Sequence, residues 1–157
     1  MTRSTPETPS PAAEDAAIDG LGALDGIIGF HLRLAYGRLY RDFNESAGDL
    51  DLTQKQLSAL WLIGDHPEIA QADIGRLLQM DRATVMAIVN RLQARGFVVR
   101  SASATDRRRQ TLHLTETGRA MLEVARQRAL EYENRLRALF SPGEATLLVE
   151  MLRRIHG

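Results

Sequence analysis

Apolar residues recur at steps of three and four along most of this chain, the spacing that places side chains on one face of an α-helix. The first stripe runs from Leu21 to Phe43 and predicts a helix of some twenty-odd residues that ends near Gly48. The same spacing predicts five later helices, which start at or next to Thr53, Gln71, Asp81, Thr115 and Ser141. The chain is therefore predicted to be mainly helical.

Local residue chemistry supports where these helices begin and end. Thr53 and Gln56 have the spacing of a capping box, and Gly64–Pro67 breaks the helix that they open. Asp81 is a suitable N-cap for the fourth helix. The run Ser141-Pro142-Gly143-Glu144 combines an N-cap, a proline in the first turn and a capping glutamate, and it opens the last helix.

Two short segments have the composition of strands. Phe97–Arg100 and Gln110–Leu114 are rich in β-branched and apolar residues, and roughly nine polar residues separate them. Three short helices followed by such a hairpin make a winged helix-turn-helix. The predicted fold class is mainly α (α+β), a winged helix-turn-helix with long N- and C-terminal helices.

The pattern divides the chain into four regions. Residues 1–20 contain three of the five prolines and few large apolar side chains, so we expect a disordered, mildly acidic tail. An N-terminal helix follows in residues 21–48, then the winged module in residues 52–114, then the C-terminal helices in residues 115–157. The terminal helices are surplus to the module, so they either pack on their own chain or form a dimerisation region.

Composition excludes several classes of protein. The 157 residues, 44% of them hydrophobic, can bury one core, and the absence of cysteine excludes disulfides, thiol nucleophiles and thiolate metal sites. The four histidines are scattered, so we expect no metal and no cofactor. No glycine-rich phosphate loop or serine elbow supports an enzyme. No long apolar span or signal sequence is visible, so we expect a cytoplasmic protein without membrane contact.

Positive charge is concentrated in one stretch of a chain whose formal net charge is zero. Residues 81–109 carry seven arginines and two aspartates, a local excess of five positive charges. Such a patch is expected of a protein that binds a polyanion. Nineteen of the twenty basic residues are arginine, a bias that a GC-rich genome explains more simply than phosphate binding does.

The helix that begins at Asp81 is the candidate recognition helix, because the second helix of this motif presents its first residues to base edges. Arg82 can bind a guanine, and Thr84 can meet a phosphate or a thymine methyl. The predicted DNA contacts of this helix are Arg82, Ala83, Thr84, Met86, Asn90 and Arg91, the last two at phosphates. The predicted core positions are Val85, Ile88, Val89 and Leu92. The competing interpretation is that both arginines are solvated surface charges.

Arg107, Arg108 and Arg109 follow one another at the tip of the predicted hairpin. Adjacent arginines on a loop repel each other and have no evident role in folding. A narrow minor groove, with its enhanced negative potential, would stabilise them. We therefore predict that all three contact DNA.

From Leu52 to Leu122 the sequence resembles the multiple-antibiotic-resistance regulator (MarR) family of transcription factors. The segments that carry the resemblance are LTQKQLSALWLI, ADIGRLLQMDRATVMAIVNRLQARGFVVR and DRRRQTLHLTETGRAML. The last holds the family's Asp-x-Arg wing element, Asp106 to Arg108, and its Leu-Thr-x-x-Gly element, Leu114 to Gly118. The resemblance implies that Arg108 enters the minor groove while Asp106 holds the wing. Residues 101–105 lack the charges that many members carry, so Arg107 and Arg109 stay alternatives.

The resemblance also implies how the chain would act. Family members are usually homodimeric repressors that bind a palindromic operator in double-stranded DNA and are released by a small effector. Near the first helix, rings and cations could together hold an aromatic carboxylate or its coenzyme A thioester. The predicted effector-binding residues are Phe30, His31, Arg33, Tyr36, Arg38 and Trp61. The alternative places the rings in the core and the arginines on the dimer surface.

A second DNA-binding function stays open at this stage. A nucleoid-type protein would use the same positive charge without sequence preference or ligand control. A regulator should instead prefer one site over random duplex by about 4–10 kcal/mol. Competition between specific and random duplexes separates the two.

Overall fold

The computed structural model describes residues 20–103 and 110–157. The chain divides into two units, residues 1–37 and residues 38–157. The tail predicted for residues 1–20, except Gly20, and the arginine-rich tip of the wing lie outside the described residues. Both stay predictions.

Helices make up most of the described chain. A 3-10 turn at Gly22–Gly26 precedes the first α-helix, and a second 3-10 turn, Gly48–Leu50, follows it. The helices are α1 (Ile28–Ala47), α2 (Gln54–Asp65), α3 (Gln71–Leu78), α4 (Arg82–Ala94), α5 (Glu116–Arg137) and α6 (Pro142–His156). The strands are β1 (Val98–Ala102) and β2 (Gln110–Leu114). The order of α2, α3, α4 and the two strands is that of a winged helix-turn-helix, as the sequence predicts.

The predicted N-caps are present. The Thr53 side chain accepts a hydrogen bond from the Gln56 amide at 3.2 Å, while the Gln56 side chain accepts one from the Thr53 amide at 2.9 Å. Ser141 and Glu144 make the equivalent pair of bonds at the start of α6. These bonds satisfy backbone donors that the first turn of a helix leaves without partners.

The wing is anchored along both edges of β2. On one edge β2 pairs antiparallel with β1, with Val98 opposite Leu114 and Ala102 opposite Gln110. On the other edge the Leu112 amide donates to the Ile69 carbonyl at 2.9 Å. The residues just before α3 therefore tie the wing to the helix-turn-helix.

One hydrophobic core lies within the winged module and the adjoining part of α5. Leu60, Ile74, Val89 and Leu92 are fully buried there. The other buried members of the cluster are Leu50, Leu52, Leu57, Ala59, Ile63, Ile69, Val85, Ile88, Phe97, Val98, Leu112, Leu122 and Ala125. Removal of this much apolar surface from water is the main term that stabilises the module.

Gly118 allows α5 to start directly against the wing. The Thr115 hydroxyl donates to the Gly96 carbonyl at 2.6 Å and accepts from the Gly118 amide at 2.9 Å. The Thr115 amide also donates to the Phe97 carbonyl at 3.0 Å. A Cβ on Gly118 would lie 1.9 Å from the Phe97 carbonyl oxygen, far inside van der Waals contact. The Leu-Thr-x-x-Gly element is therefore a packing requirement.

Two predicted boundaries are wrong. The first α-helix begins at Ile28 and not at Leu21, because Gly22 has a φ of +55° and Ile27 is extended, which separates the 3-10 turn from α1. The first strand begins one residue late, at Val98. The Phe97 amide donates to the Leu92 carbonyl and so completes the C-terminus of α4 instead of pairing with β2.

Candidate nucleic-acid interface

The turn between α3 and α4 sets the angle at which the candidate recognition helix leaves the module. Gln79 adopts a left-handed conformation, with φ at +52°, and the Met80 amide donates to the Gly75 carbonyl at 2.9 Å. A Cβ on Gly75 would lie 3.1 Å from the Met80 carbonyl oxygen, closer than most such contacts. A Cβ at position 75 would therefore require a small shift of the turn.

Asp81 caps α4 as predicted. Its carboxylate accepts from the Thr84 amide at 2.9 Å and from the Thr84 hydroxyl at 2.5 Å. The Thr84 hydroxyl and amide bonds lower the pKa of the Asp81 carboxyl, since both favour the ionised form. Because the Thr84 hydroxyl hydrogen is used in this cap, the methyl group is what Thr84 can offer to a thymine.

The faces of α4 divide as the sequence predicts. The positions expected in the core are all buried: Val85, Ile88, Val89 and Leu92. Arg82, Ala83, Met86, Asn90 and Arg91 are exposed, and Thr84 is half-buried. The predicted DNA-contacting residues thus lie on the solvent-facing side of one helix.

Asp51 accompanies the arginines near the end of α4. Its carboxylate lies 3.7 Å from Arg91 Nη2 and 3.6 Å from Arg95 Nη1. Arg95 also donates to the Leu50 carbonyl at 3.1 Å and stacks over the Phe97 ring, 4.7 Å from its centroid. Arg95 therefore connects the end of α4 to the segment before α2. The charge of Arg91 is only partly neutralised by Asp51.

Two residues on α3 extend this surface beyond what the sequence predicts. Gln71 and Arg76 line a cavity of about 450 Å³ together with Arg82, at the junction of α3 and α4. The Arg76 side chain is 70% exposed and lies 3.6 Å from Asp73. The sequence could have placed Arg76 on the exposed face of α3, because helical spacing puts it opposite the buried Ile74. Only the packing of α3 against α4 brings Arg76 close to Arg82.

The predicted wing-tip contacts, Arg107, Arg108 and Arg109, lie outside the described residues, as does Asp106. The strands that lead to them are described, and β1 carries Arg100 between the two helices of the motif. Its guanidinium donates to Asn90 Oδ1 at 2.7 Å and to the Gln93 side chain. Arg100 was counted in the charge patch without an assigned contact.

The predicted effector residues fall in both units of the chain, and that they form one site stays a prediction. Phe30, His31, Arg33 and Tyr36 belong to the first unit, where Arg33 stacks over the Phe30 ring at 5.2 Å and His31 Nε2 lies 2.7 Å from the Asp25 carbonyl oxygen. The alternative interpretation places Phe30 in a core, and Phe30 is half-buried.

The other two predicted effector residues lie in the second unit. Arg38 Nε donates to both carboxylate oxygens of Asp42, at 2.8 and 2.9 Å, and this pairing raises the pKa of the Arg38 guanidinium. Trp61 lines a cavity of about 520 Å³. The other lining residues are Phe43, Gln54, Leu57, Ser58, Leu62, Leu78 and Ala129.

Large apolar side chains are exposed in both terminal regions. In the first unit Ile28 is 71% exposed and Tyr36 is 61% exposed. In the second unit α6 exposes Leu147, Leu148, Met151 and Ile155, the last at 60%. Patches of this kind on a soluble domain commonly mark an interaction surface.

The described residues contain neither a membrane-spanning helix nor a cluster of metal-binding side chains. Within residues 20–103 and 110–157, no helix has the length and apolar content that a bilayer crossing needs. In the same ranges no group of three or more metal-binding side chains comes together.

A winged helix-turn-helix with an exposed, arginine-bearing recognition helix defines a class of DNA-binding protein. Residues 50–109 match the MarR family. A putative transcriptional regulatory protein for the hcr operon of Thauera aromatica is 30% identical over 147 residues, which cover 93% of this chain and 89% of that protein. The transcriptional repressor NicR of Pseudomonas putida is 33% identical over 128 residues, which cover 82% of this chain and 81% of that protein. The chain belongs to the MarR family of transcriptional regulators.

Solved structures show the same fold. The transcriptional repressor CouR bound to a 23-mer DNA duplex is 34% identical, with a TM-score of 0.79 over 87% of this chain and 96% of that chain. CouR of Rhodococcus jostii RHA1 bound to p-coumaroyl-CoA is 25% identical, with a TM-score of 0.80 over 86% and 95%. BpsR of Bordetella bronchiseptica, whose DNA binding is regulated by 6-hydroxynicotinic acid, is 28% identical, with a TM-score of 0.78 over 87% and 98%.

Proposed function

We propose that this chain is a ligand-responsive repressor that binds a palindromic operator as a homodimer and is released by an aromatic acid or its acyl-thioester. One observation carries the proposal. A winged module presents Arg82, Ala83, Met86, Asn90 and Arg91 to solvent from a single capped helix. Residues 52–114 are the proposed DNA-binding domain, with Thr84 and the wing residues Arg107, Arg108 and Arg109 as further contacts.

The exposed terminal regions support a dimer. We assign residues 21–48 and 115–157 to dimerisation, because their exposed apolar side chains gain stability only when another surface covers them. A second copy of the chain is the economical partner, since two modules then read two half-sites about one turn of DNA apart. The symmetry of such a dimer would make the operator a palindrome.

The cavity beside Trp61 supports the effector. Its lining is mainly apolar, its volume of about 520 Å³ suits a small aromatic molecule, and it lies between α2 and residues of α1, α3 and α5. An effector here would contact both the helix-turn-helix, through Leu78, and the helices outside it, through Phe43 and Ala129. CouR and BpsR, which resemble this chain, provide the chemical classes: an aromatic acyl-thioester and an aromatic acid.

Sequence selection is the experiment that tests the proposal. The protein is incubated with a pool of random duplexes, and the enriched sequence is compared with a shuffled duplex of equal composition. The proposal expects an enriched palindrome that binds at least about 1,000-fold more tightly than the shuffled duplex at physiological salt. Equal affinity would instead support the nucleoid-type alternative.

Trp61 provides a direct test of the effector. It is the single tryptophan of the chain, so intrinsic fluorescence reports on the proposed cavity. p-Coumaroyl-CoA, p-coumarate and 6-hydroxynicotinate are titrated with and without the enriched duplex. At least one should quench the fluorescence and release the DNA at the same concentration. Quenching without release would remove the effector role and leave DNA binding intact.

A further inference from the structure

The guanidinium of Arg100, on β1, contacts three side-chain amides from the two helices of the helix-turn-helix. Its Nη2 donates to Asn90 Oδ1 of α4 at 2.7 Å and lies 3.5 Å from Gln71 Oε1 of α3. Its Nη1 donates to Gln93 Oε1, also on α4. One half-buried guanidinium thus joins the wing to the recognition helix and to the helix before it.

The chemistry of arginine decides how these amides are oriented. A guanidinium has only donors, so an amide that faces it must present its carbonyl oxygen. The amino groups of Asn90 and Gln93 are then carried on the opposite arm of each amide. Among the described residues neither amino group has a hydrogen-bond partner, and both side chains are exposed. Arg100 therefore leaves two donors available on the solvent face of α4.

The positive charge of Arg100 is also not neutralised by a carboxylate of the described residues. Its hydrogen-bond partners within residues 20–103 and 110–157 are neutral amides, and no carboxylate there forms an ion pair with it. Arg91 and Arg95 differ, because both lie beside Asp51. A cation held by neutral ligands contributes its full field to the surface where a polyanion would bind.

We infer that Arg100 is a positioning residue that orients the side-chain amides of Asn90 and Gln93 as donors to the DNA backbone. The inference rests on the proposed DNA-binding function. Asparagine and glutamine are common phosphate ligands, and such contacts set the register of a recognition helix. Arg100 would act through the two amides, so the position of the wing would affect how the donors on α4 are oriented toward DNA.

A double-mutant cycle tests the inference with the operator that the wild-type protein enriches from random duplexes. The variants are Arg100→Lys, the pair Asn90→Ala/Gln93→Ala, and all three changes together. Lysine keeps the charge, but its single ammonium cannot reproduce the planar fork that holds several amides. Arg100→Lys and the alanine pair should each weaken operator binding about tenfold, and the triple variant should be no weaker than the pair. Arg119→Lys, a charge-conserving change at the start of α5, is the matched control and should bind as wild type.

Direct contact between Arg100 and phosphate predicts different numbers. Arg100→Lys would then bind the operator almost as tightly as wild type. Arg100→Met would reduce the slope of log affinity against log salt concentration by about 0.9 per site. The losses of affinity in the cycle would be additive. Either additive losses or a harmless Arg100→Lys would overturn the inference. A measurement without DNA separates this result from failure of the proposed function. The side-chain amide NMR signals of Asn90 and Gln93 should be dispersed in wild type and collapse to solvent-like values in Arg100→Lys; unchanged signals would also overturn it.

Discussion

The winged module and the last helix, α6, have the same kind of amphipathic pattern but very different burial. Leu60, Ile74 and Leu92 of the module are fully buried. In α6 Ala145 is buried, while Met151 and Ile155 stay exposed. The difference shows that periodicity determines which face of a helix is apolar, whereas the partner of that face depends on what else is present. The module supplies its own partner surfaces, whereas this face of α6 stays exposed.

This contrast separates two kinds of stability. The module should unfold as a unit whose stability is independent of protein concentration, because its core is made within one chain. The terminal regions should depend on association, so their order should rise with concentration. Substitutions in the two regions therefore have different readouts.

The largest effect is expected for Gly118→Ala, at the junction of the wing and α5. The new Cβ would lie 1.9 Å from the Phe97 carbonyl oxygen, so backbone must move and the module should lose about 3 kcal/mol or more. Thermal melting measures the loss. Gly143→Ala in α6 is the control, since a Cβ there meets nothing within 4 Å. Equal melting of both variants would show that α5 does not pack against the wing as described.

The next effect is expected for Leu147→Glu in α6. A carboxylate on this exposed apolar face should prevent association, so light scattering should give the mass of one chain. Operator affinity should fall about 100-fold or more, because the two half-sites are no longer read together. Leu77→Glu in α3 is the matched control, since Leu77 is 45% exposed and Leu147 is 49% exposed. A dimer that tolerates Leu147→Glu but not Leu77→Glu would place the interface in the module.

Arg82→Ala should have a moderate effect confined to DNA binding. The loss of a guanine contact should cost about 1–3 kcal/mol and relax the preference at one base pair of each half-site. Competition assays with single-base variants of the enriched operator measure both quantities. The melting temperature and the mass should not change. If every sequence lost affinity equally, Arg82 would be a phosphate ligand.

The smallest effect is expected from acid and the N-cap of α4. The pKa of Asp81 is lowered by its bonds to Thr84, so the ionised cap stabilises the fold above the usual carboxyl pKa of about 3.9 and loses that contribution as the pH falls through the lowered value. Asp81→Asn keeps an acceptor that does not titrate. Wild-type melting temperature should therefore fall more steeply than that of the variant below about pH 4. Parallel curves would mean that the cap does not form.

Much of the module could be predicted because its signals are local. The bounds of α3 and β2 agree with the sequence, and the caps at Thr53, Asp81 and Ser141 depend on residues three positions apart. These interactions are made within one turn of chain, so residue type and spacing are sufficient to find them.

The side-chain contacts between elements could not be predicted, because they depend on how the helices and strands pack against one another. Arg100 meets Asn90 and Gln71 only once β1, α3 and α4 have packed together. The surroundings of Arg38 and Trp61 could not be predicted for a related reason. Arg38 is paired with Asp42 one turn away, and the cavity at Trp61 is completed by apolar residues that carry no chemical signature in sequence.

We propose that two chains use their exposed terminal regions to place two winged modules on one operator. The mass of the complex between wild-type protein and the enriched duplex, measured by sedimentation at operator-saturating concentration, tests it most directly. Two chains per duplex and a palindrome with half-site centres about ten base pairs apart are the expected result. One chain per duplex, or two chains on a site without two-fold symmetry, would contradict it.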